Sequence, residues 1–232
     1  MPETLPRHIF IIPDGNRRWA KQAGKSLPEA YAAGEAAMEV ILKAALQRGI
    51  RYLTAWGASV SNLTGRSTLE TEIFNRLYER ALTKLATDPE IHDRRVQIQV
   101  IGRWAELLTE RAQAAIRKAI EATALYDQHH LTILIGYSGV DEMTSAVKQI
   151  VDERPATVTP EVIKSHLWTA KLPPVDLVIR TGGEPHWSAG ALMWDIAEAQ
   201  FYFTDTFWPD FSPDRLDETL ATYADRTRRF GR

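Results

Sequence analysis

The chain contains no cysteine. That excludes disulfides and thiolate metal centres, and it fits a reducing compartment, so a cytoplasmic protein is expected. Long apolar runs are missing as well. Nothing approaches the roughly 18 residues of a membrane span, and the opening MPETLPRH lacks the basic-then-apolar form of a signal peptide. A soluble protein is expected, with at most peripheral contact at a bilayer surface. Nor is there an excess of one charge: 28 basic and 30 acidic residues leave a net charge of -2. No global field therefore draws the chain to nucleic acid, and any basic site must be local.

Several familiar signatures also fail. Gly24-Lys25-Ser26 would end a phosphate-binding P-loop, but that motif needs glycine at position 19, where Trp19 stands. No GxGxxG follows the first apolar run, so a dinucleotide site has no support. Gly57-Ala58-Ser59-Val60-Ser61 departs from a nucleophile elbow at its last residue. A hydrolase built on it would have His186 as its late histidine and would leave Asp14 and Arg180 idle. His129 and His130 are adjacent and so point apart, which argues against a shared metal and for a surface loop.

What is present is ordinary globular material. Hydrophobic residues make up 44% and charged residues 25% of 232, enough for one domain spanning residues 1–232 with a full core. The most informative stretch is Ile9 to Trp19, IFIIPDGNRRW. An apolar run of strand length ends at a proline, turns at Asp14-Gly15-Asn16 and passes into two arginines and a tryptophan. In parallel α/β sheets ligands gather beyond the carboxyl ends of strands, where amides and helix N-termini face an anion. Asp14 offers a hard oxygen for a divalent ion, Gly15 allows close backbone approach, and Arg17 and Arg18 add fixed positive charge. The stretch therefore reads either as a site for a metal-bound diphosphate or as a solvated turn.

Along the chain, Ser26 and Glu29 have capping-box spacing, which predicts a helix from Pro28 to Gln47 with Ala37, Ile41 and Ala44 facing inward. A strand is expected over Arg51 to Ala58, leading into polar Ser59, Ser61 and Asn62. Ser67 and Glu70 open a second helix. Its Phe74, Leu77, Tyr78 and Leu82 form a bulky apolar stripe that reads as core packing or as one wall of a channel for a hydrocarbon tail. Further strands are expected at Val96 to Ile101, buried on both faces, at Leu131 to Ile135 and at Val175 to Ile179. Helices are expected at Ala105 to Ala124, Asp141 to Val151, after Thr159-Pro160 and after Ser212-Pro213. Met193 to Trp208 reads as a short helix and a final strand. Such alternation predicts an α/β fold with a mostly parallel sheet and helices on both faces. The fifth strand ends in Arg180-Thr181-Gly182-Gly183-Glu184, a second glycine-rich polar terminus.

Three strand ends thus carry polar clusters, in HIFIIPDGNRRWAK, WGASVSNLTGRS and DLVIRTGGEPHWS, followed by FYFTDTFWPDF and RRFG. Together they resemble the cis-prenyltransferases, the undecaprenyl diphosphate synthases and their relatives, from His8 to Gly231. No DDxxD box of the trans-type prenyl synthases is present. The resemblance implies a parallel sheet of about six strands, a homodimer and an apolar tunnel. It also implies a magnesium-assisted condensation of isopentenyl diphosphate with an allylic diphosphate to form a cis double bond. By position, Asp14 matches the metal-binding aspartate, and Gly15, Asn16, Arg17, Arg18 and Trp19 match the allylic diphosphate loop. Ser59 and Asn62 match residues that assist proton removal, with Ser61, Leu63 and Arg66 beside them in the substrate set. Arg180, His186 and Ser188 match the isopentenyl diphosphate site, and Phe74, Leu77, Tyr78 and Leu82 the tail tunnel. Arg229-Phe230-Gly231 resembles the terminal segment that reaches the partner subunit's site.

The pattern breaks inside the site. In the allylic site, Leu27 stands where the family commonly has arginine and Tyr31 where it has histidine, and Arg17 occupies a usual glycine. His186 replaces an arginine. Gln200 replaces a glutamate that helps hold the metal, and a neutral amide is a weaker ligand than a carboxylate. An active but atypical enzyme is expected, making short or irregularly coupled products. The alternative is a non-catalytic subunit of a complex, against which the retention of Asp14, Asn16 and Arg180 speaks.

Overall fold

A computed structural model describes residues 5–229. Its strands are β1 (His8–Ile12), β2 (Tyr52–Ser59), β3 (Val96–Ile101), β4 (His129–Tyr137), β5 (Leu177–Arg180) and β6 (Gln200–Phe203). Between them run α1 (Asn16–Ala23), α2 (Leu27–Gln47), α3 (Val60–Thr64), α4 (Thr68–Leu85), α5 (Pro89–Asp93), α6 (Trp104–Leu107), α7 (Glu110–Thr123), α8 (Gly139–Glu153) and α9 (Pro160–His166), and α10 (Pro213–Arg229) closes the chain. The strands form a single six-stranded sheet in the order β3-β4-β2-β1-β5-β6. Every pairing is parallel, where a mostly parallel sheet was expected.

All of β1 is buried because helices or loops cover both faces of the sheet. Its side chains alternate between two cores. Ile9 and Ile11 join Ile41 of α2, Phe74 and Leu82 of α4, Ile116 of α7 and Leu216 of α10 on one face. Phe10 and Ile12 join Leu134, Tyr137, Val178 and Leu192 on the other. The capping box expected at Ser26 and Glu29 is complete, and it starts α2 beside Pro28. Ser67 caps α4 through the Glu70 N–H (3.3 Å).

Several expectations need correction. The segment after Asp14 is the helix α1, bounded by Gly15 (φ 102) and Gly24 (φ 64), which take the left-handed conformations that L side chains resist. A short helix, α3, follows Ser59, whose hydroxyl accepts from the Asn62 N–H while Asn62 Oδ1 accepts from the Ser59 N–H. The helix expected over Ala105 to Ala124 breaks at buried Leu108, and the Thr109 N–H turns away to Asn75 Oδ1 (2.7 Å). β3 is an edge strand in which Val96, Ile98 and Val100 are buried and the residues between them are partly exposed, so it is not covered on both faces. His129 and His130 begin β4 and do not lie in a loop, and the His130 ring stacks on Tyr52 (4.4 Å between centroids). Between Ser188 and Ala199 the chain forms turns where a short helix was expected. Among the described residues no helix is long and apolar enough to cross a membrane.

Candidate active site

The sheet order sets where a site can form. From β1 the chain leaves toward β2, and from the adjacent β5 it leaves toward β6, so the loops diverge and open a crevice at the carboxyl ends of these two strands. Register places Ile12 opposite Arg180 across that crevice. Asp14 lies two residues beyond Ile12. Its backbone is locked by Thr181, whose hydroxyl accepts from the Asp14 N–H (2.9 Å) and donates to the Asp14 carbonyl (2.8 Å). The Trp208 N–H donates to the same carbonyl (3.0 Å).

The Asp14 carboxylate is the centre of a charged cluster. Oδ2 accepts from Arg180 Nη2 (2.8 Å), while Oδ1 accepts from the Gly15 N–H (2.6 Å) and lies 3.2 Å from Arg18 Nη2. Arg180 is 3% exposed. Its Nη1 donates to Ser188 Oγ (2.8 Å) and to the His186 carbonyl (2.7 Å), and Nη2 lies 3.3 Å from His186 Nε2. Its buried Nε has no hydrogen-bond partner, and neither does the buried Asn16 Oδ1. Unmet groups of this kind in a charged cleft are what a bound polar ligand would satisfy. Arg18 also donates to Glu184 Oε1 (2.9 Å) and lies over the Phe207 ring. A side chain at Gly15 would meet Phe207 at 2.6 Å, so glycine is required there for packing as well as for its φ.

A second cluster faces the first. Arg66 Nη1 donates to the Tyr31 hydroxyl (2.5 Å) and to Glu70 Oε1 (3.4 Å), and its guanidinium lies over the Phe74 ring (5.1 Å). Glu70 is 6% exposed and also takes Arg17, at 3.8 Å. Burial pushes the Tyr31 phenol above its ordinary pKa, with the Arg66 charge pulling the other way, so it stays protonated. Ser59 Oγ is fixed by the Asn62 N–H (2.9 Å) and lies 2.8 Å from Ser61 Oγ. Asp14, Gly15, Asn16, Arg17, Arg18, Tyr31, Asn62, Arg66, Arg180 and Ser188 together line one cleft of about 460 Å³.

From the floor of this cleft an apolar cavity of about 180 Å³ runs between α2, α4 and the sheet. It is walled by Phe74, Leu77, Tyr78 and Leu82, with Met38, Leu42, Leu131 and Ile133 opposite. The two spaces share Pro13, Asn16, Tyr31, Trp56, Gly57 and Phe74. A side chain on Gly57 would come within 2.9 Å of the Leu134 carbonyl and 3.2 Å of the Tyr78 hydroxyl, so its absence keeps the junction open.

Not every candidate residue joins the cleft. Leu63 is buried in the core and Leu27, partly buried, packs against it, while Ser59 and Ser61 are not among the residues lining the cleft. Trp19 donates its indole N–H to Asp210 Oδ1 (2.9 Å) outside the cleft lining. The His186 side chain is mostly exposed and meets Arg180 chiefly through its backbone. Gln200 opens β6 opposite Leu177, at the far end of that strand from Arg180, so within this chain it is not beside Asp14 and the pairing of the two as metal ligands is not formed. The side chains of Arg229-Phe230-Gly231 lie outside the described residues. Sequence reasoning overlooked Thr181, Glu184 and Glu70 as site residues. Thr181 and Glu184 were legible as neighbours of Arg180, whereas Glu70 was read only as a helix cap.

The chain matches the family model described as putative undecaprenyl diphosphate synthase over residues 12–231. It is 36% identical over 235 residues to the tritrans,polycis-undecaprenyl-diphosphate synthase (geranylgeranyl-diphosphate specific) of Pyrococcus abyssi, covering 99% of this chain and 88% of that protein. It is 37% identical over 234 residues to an isoprenyl transferase of Porphyromonas gingivalis, covering 98% of this chain and 90% of that one. Among solved structures it resembles lavandulyl diphosphate synthase from Lavandula x intermedia in complex with dimethylallyl diphosphate, with a TM-score of 0.87, 30% identity and 96% of each chain covered. A full-length match in sequence and fold, joined to a charged crevice that opens into an apolar cavity, means that the chain belongs to the cis-prenyltransferase (undecaprenyl diphosphate synthase) family and is an isoprenyl transferase that makes cis-prenyl diphosphates.

Proposed function

We propose that this enzyme condenses isopentenyl diphosphate with an allylic diphosphate whose tail lies in the cavity between α2 and α4. The observation that carries this reading is the shared wall: the cleft holding Asp14 and four arginines and the apolar cavity have six lining residues in common. A diphosphate head and a hydrocarbon tail on one molecule need that continuity. The allylic diphosphate takes the loop from Asp14 to Arg18, with Arg66 and Tyr31 above it. The isopentenyl diphosphate takes Arg180 and Ser188, with the exposed His186 beside it. Ser59 and Asn62, held by the first turn of α3, take part in removing the proton from the isopentenyl unit. At about 0.8 kcal/mol per buried methylene, each added five-carbon unit contributes up to roughly 3 to 4 kcal/mol of burial until the cavity is full.

Asp14 is the carboxylate lining the cleft, and among the described residues no group of three or more acidic or histidine side chains could hold a metal alone. That donor set fits magnesium, which binds through one or two carboxylates and completes its shell with substrate phosphates and water. Asp14 would hold the ion, whose contribution when bound is to offset the charge gathering on the leaving diphosphate. The same carboxylate aims Arg180 and Arg18 at that charge. A homodimer is part of this reading.

One observation favours a second outcome. With His186 in place of an arginine, the second diphosphate site has a weaker cationic grip, and the solved neighbour named above is a lavandulyl diphosphate synthase bound to dimethylallyl diphosphate. Irregular coupling of two allylic units is the product that this weakening would admit. Incubating purified protein with magnesium, labelled isopentenyl diphosphate and allylic primers of several lengths separates the outcomes. Cis-elongated labelled product supports the first reading, product from allylic diphosphate alone supports the second, and no prenyl product from any primer refutes both.

A further inference from the structure

The loop that carries Ser188 is held in an unfavourable backbone shape. Ala189 (φ 49) and Leu192 (φ 52) both take left-handed conformations that L residues resist, at about 1 to 2 kcal/mol each, and Gly190 (φ 62) lies between them. Such a shape persists only where the surroundings over-determine it. Here the surroundings are the start of α8. The Gly139 N–H donates to the Ala189 carbonyl (2.9 Å), and a side chain at Gly139 would sit 1.8 Å from the Gly190 carbonyl oxygen. That contact is with backbone, so it could be relieved only by moving the loop.

α8 is fixed in turn by a buried polar network. Glu142 is 1% exposed; one carboxylate oxygen accepts from the Tyr137 hydroxyl and the other from the Thr169 N–H (2.9 Å). Lys164 donates to the Thr169 carbonyl (2.7 Å) and to Asp195 Oδ1 (2.5 Å), and the Asp195 N–H returns to the Leu192 carbonyl (2.8 Å). Burial raises the pKa of both Glu142 and Asp195, in keeping with a network shielded from solvent. Tyr137 itself pairs with Ser59 across the sheet. A hydrogen-bonded path thus runs from the strand beside Ser59, behind the sheet, to the loop that presents Ser188 to Arg180.

We propose that Gly139 is a positioning residue for the second diphosphate subsite: its missing side chain and its N–H seat the 188–192 turn so that Ser188 Oγ faces Arg180. Glu142 supports it by fixing α8. This inference rests on the assignment of Arg180 and Ser188 to isopentenyl diphosphate.

The test measures KM for each substrate separately, with thermal melts, in Gly139→Ala, Glu142→Gln and Ser188→Ala. Gly139→Ala is expected to raise the KM for isopentenyl diphosphate by about tenfold or more while the allylic KM stays within about twofold. Glu142→Gln is expected to give a smaller split in the same direction. A merely structural role would move both KM values alike or only the melting temperature, and either result overturns the proposal. If Gly139→Ala fails to fold, Glu142→Gln decides by the same criterion. If Ser188→Ala raises the isopentenyl KM and Gly139→Ala does not, the positioning role alone is wrong. If neither does, the subsite assignment fails and the inference falls with it.

Discussion

Replacing Gly34 with alanine separates a site defect from a folding defect. Gly34 lies within α2, where alanine is favoured over glycine by about 1 kcal/mol. Against this, the new methyl group would sit 2.5 Å from Asn16 Oδ1 and 3.2 Å from Trp208 Cδ1. The nearer atom is the end of a flexible side chain, so Asn16 can rotate away. Doing so breaks the bond from Asn16 Nδ2 to the Pro13 carbonyl (3.2 Å), which contributes roughly 0.5 to 1.5 kcal/mol. The farther contact, to an aromatic edge, needs a shift of a few tenths of an ångström. Gain and loss nearly cancel, and the expected change in stability is within about 1 kcal/mol, or a few degrees in melting temperature.

The site, by contrast, has no compensation. On the proposed reading Asn16 stands where the diphosphate cleft meets the tail cavity, and a displaced amide enters the space the allylic substrate needs. Losing one well-placed polar contact of about 1.4 kcal/mol is a tenfold change in affinity. Steady-state kinetics with each substrate varied in turn should therefore show the allylic KM of Gly34→Ala raised about tenfold and the isopentenyl KM nearly unchanged. An unchanged allylic KM, or a melting temperature lowered by ten degrees or more, would refute the reasoning.

Three further outcomes are expected. Buried His8 donates Nδ1–H to the Pro173 carbonyl (3.0 Å) and accepts at Nε2 from Thr54 Oγ1 (2.8 Å), and burial lowers its pKa from 6.5 to about 4. Between those values the unfolded chain binds more protons, so stability present above pH 6.5 is lost as the pH falls toward 4. The loss amounts to about 3 kcal/mol, and urea melts should show the His8→Gln variant with a flatter pH slope over that window. Tyr78→Phe removes a buried hydroxyl that has no partner and should stabilise the fold by about 1 kcal/mol in chemical denaturation; a destabilised variant contradicts that account. Arg180→Lys keeps the charge but cannot span Asp14, Ser188 and the His186 carbonyl at once, so kcat/KM should fall about a hundredfold, and near-native kinetics would show that the fork is not needed.

The fold was legible where local chemistry and burial agreed. Ser26 with Glu29 announced α2, Ser67 announced α4, and the apolar runs gave β1 and β4 their cores. It was not legible where tertiary contacts decided. The one-sided burial of β3 was in fact legible, in the alternation of Val96, Ile98 and Val100 with Gln97 and Gln99, and only its place at the sheet edge follows from strand order. The break at Leu108 depends on an Asn75 side chain that lies far away in sequence. The turns from Ser188 to Ala199 are apolar because they fill the second core, which hides their irregular backbone from a periodicity argument. In the site, Asp14 and Arg180 could be named because one lies just beyond the end of β1 and the other ends β5. Glu70 could not be named as the buried partner of Arg17 and Arg66, since its capping-box spacing explained it already.

That partner bears on the departures in the allylic loop. Four guanidinium groups line the cleft. Arg18 and Arg180 are engaged by Asp14, while Arg17 and Arg66 converge on Glu70. A diphosphate entering this space competes with carboxylates for every arginine and repels Asp14, which unlike Glu70 is about one third exposed and lies between the two proposed subsites. Arg180 itself is buried, and leaving a buried charge unpaired costs several kcal/mol, so it cannot simply be taken from Asp14 unless the ligand replaces the bond it breaks. Glu70 is different, because Arg17 is largely exposed and only loosely held at 3.8 Å, free to turn toward an anion at little cost. On the proposed reading, Arg17 is thus the guanidinium best placed to supply the cationic contact that the family resemblance would put at Leu27 and Tyr31. Tyr31 now serves instead to hold Arg66 against Phe74, at the point where the charged cleft gives way to the apolar cavity.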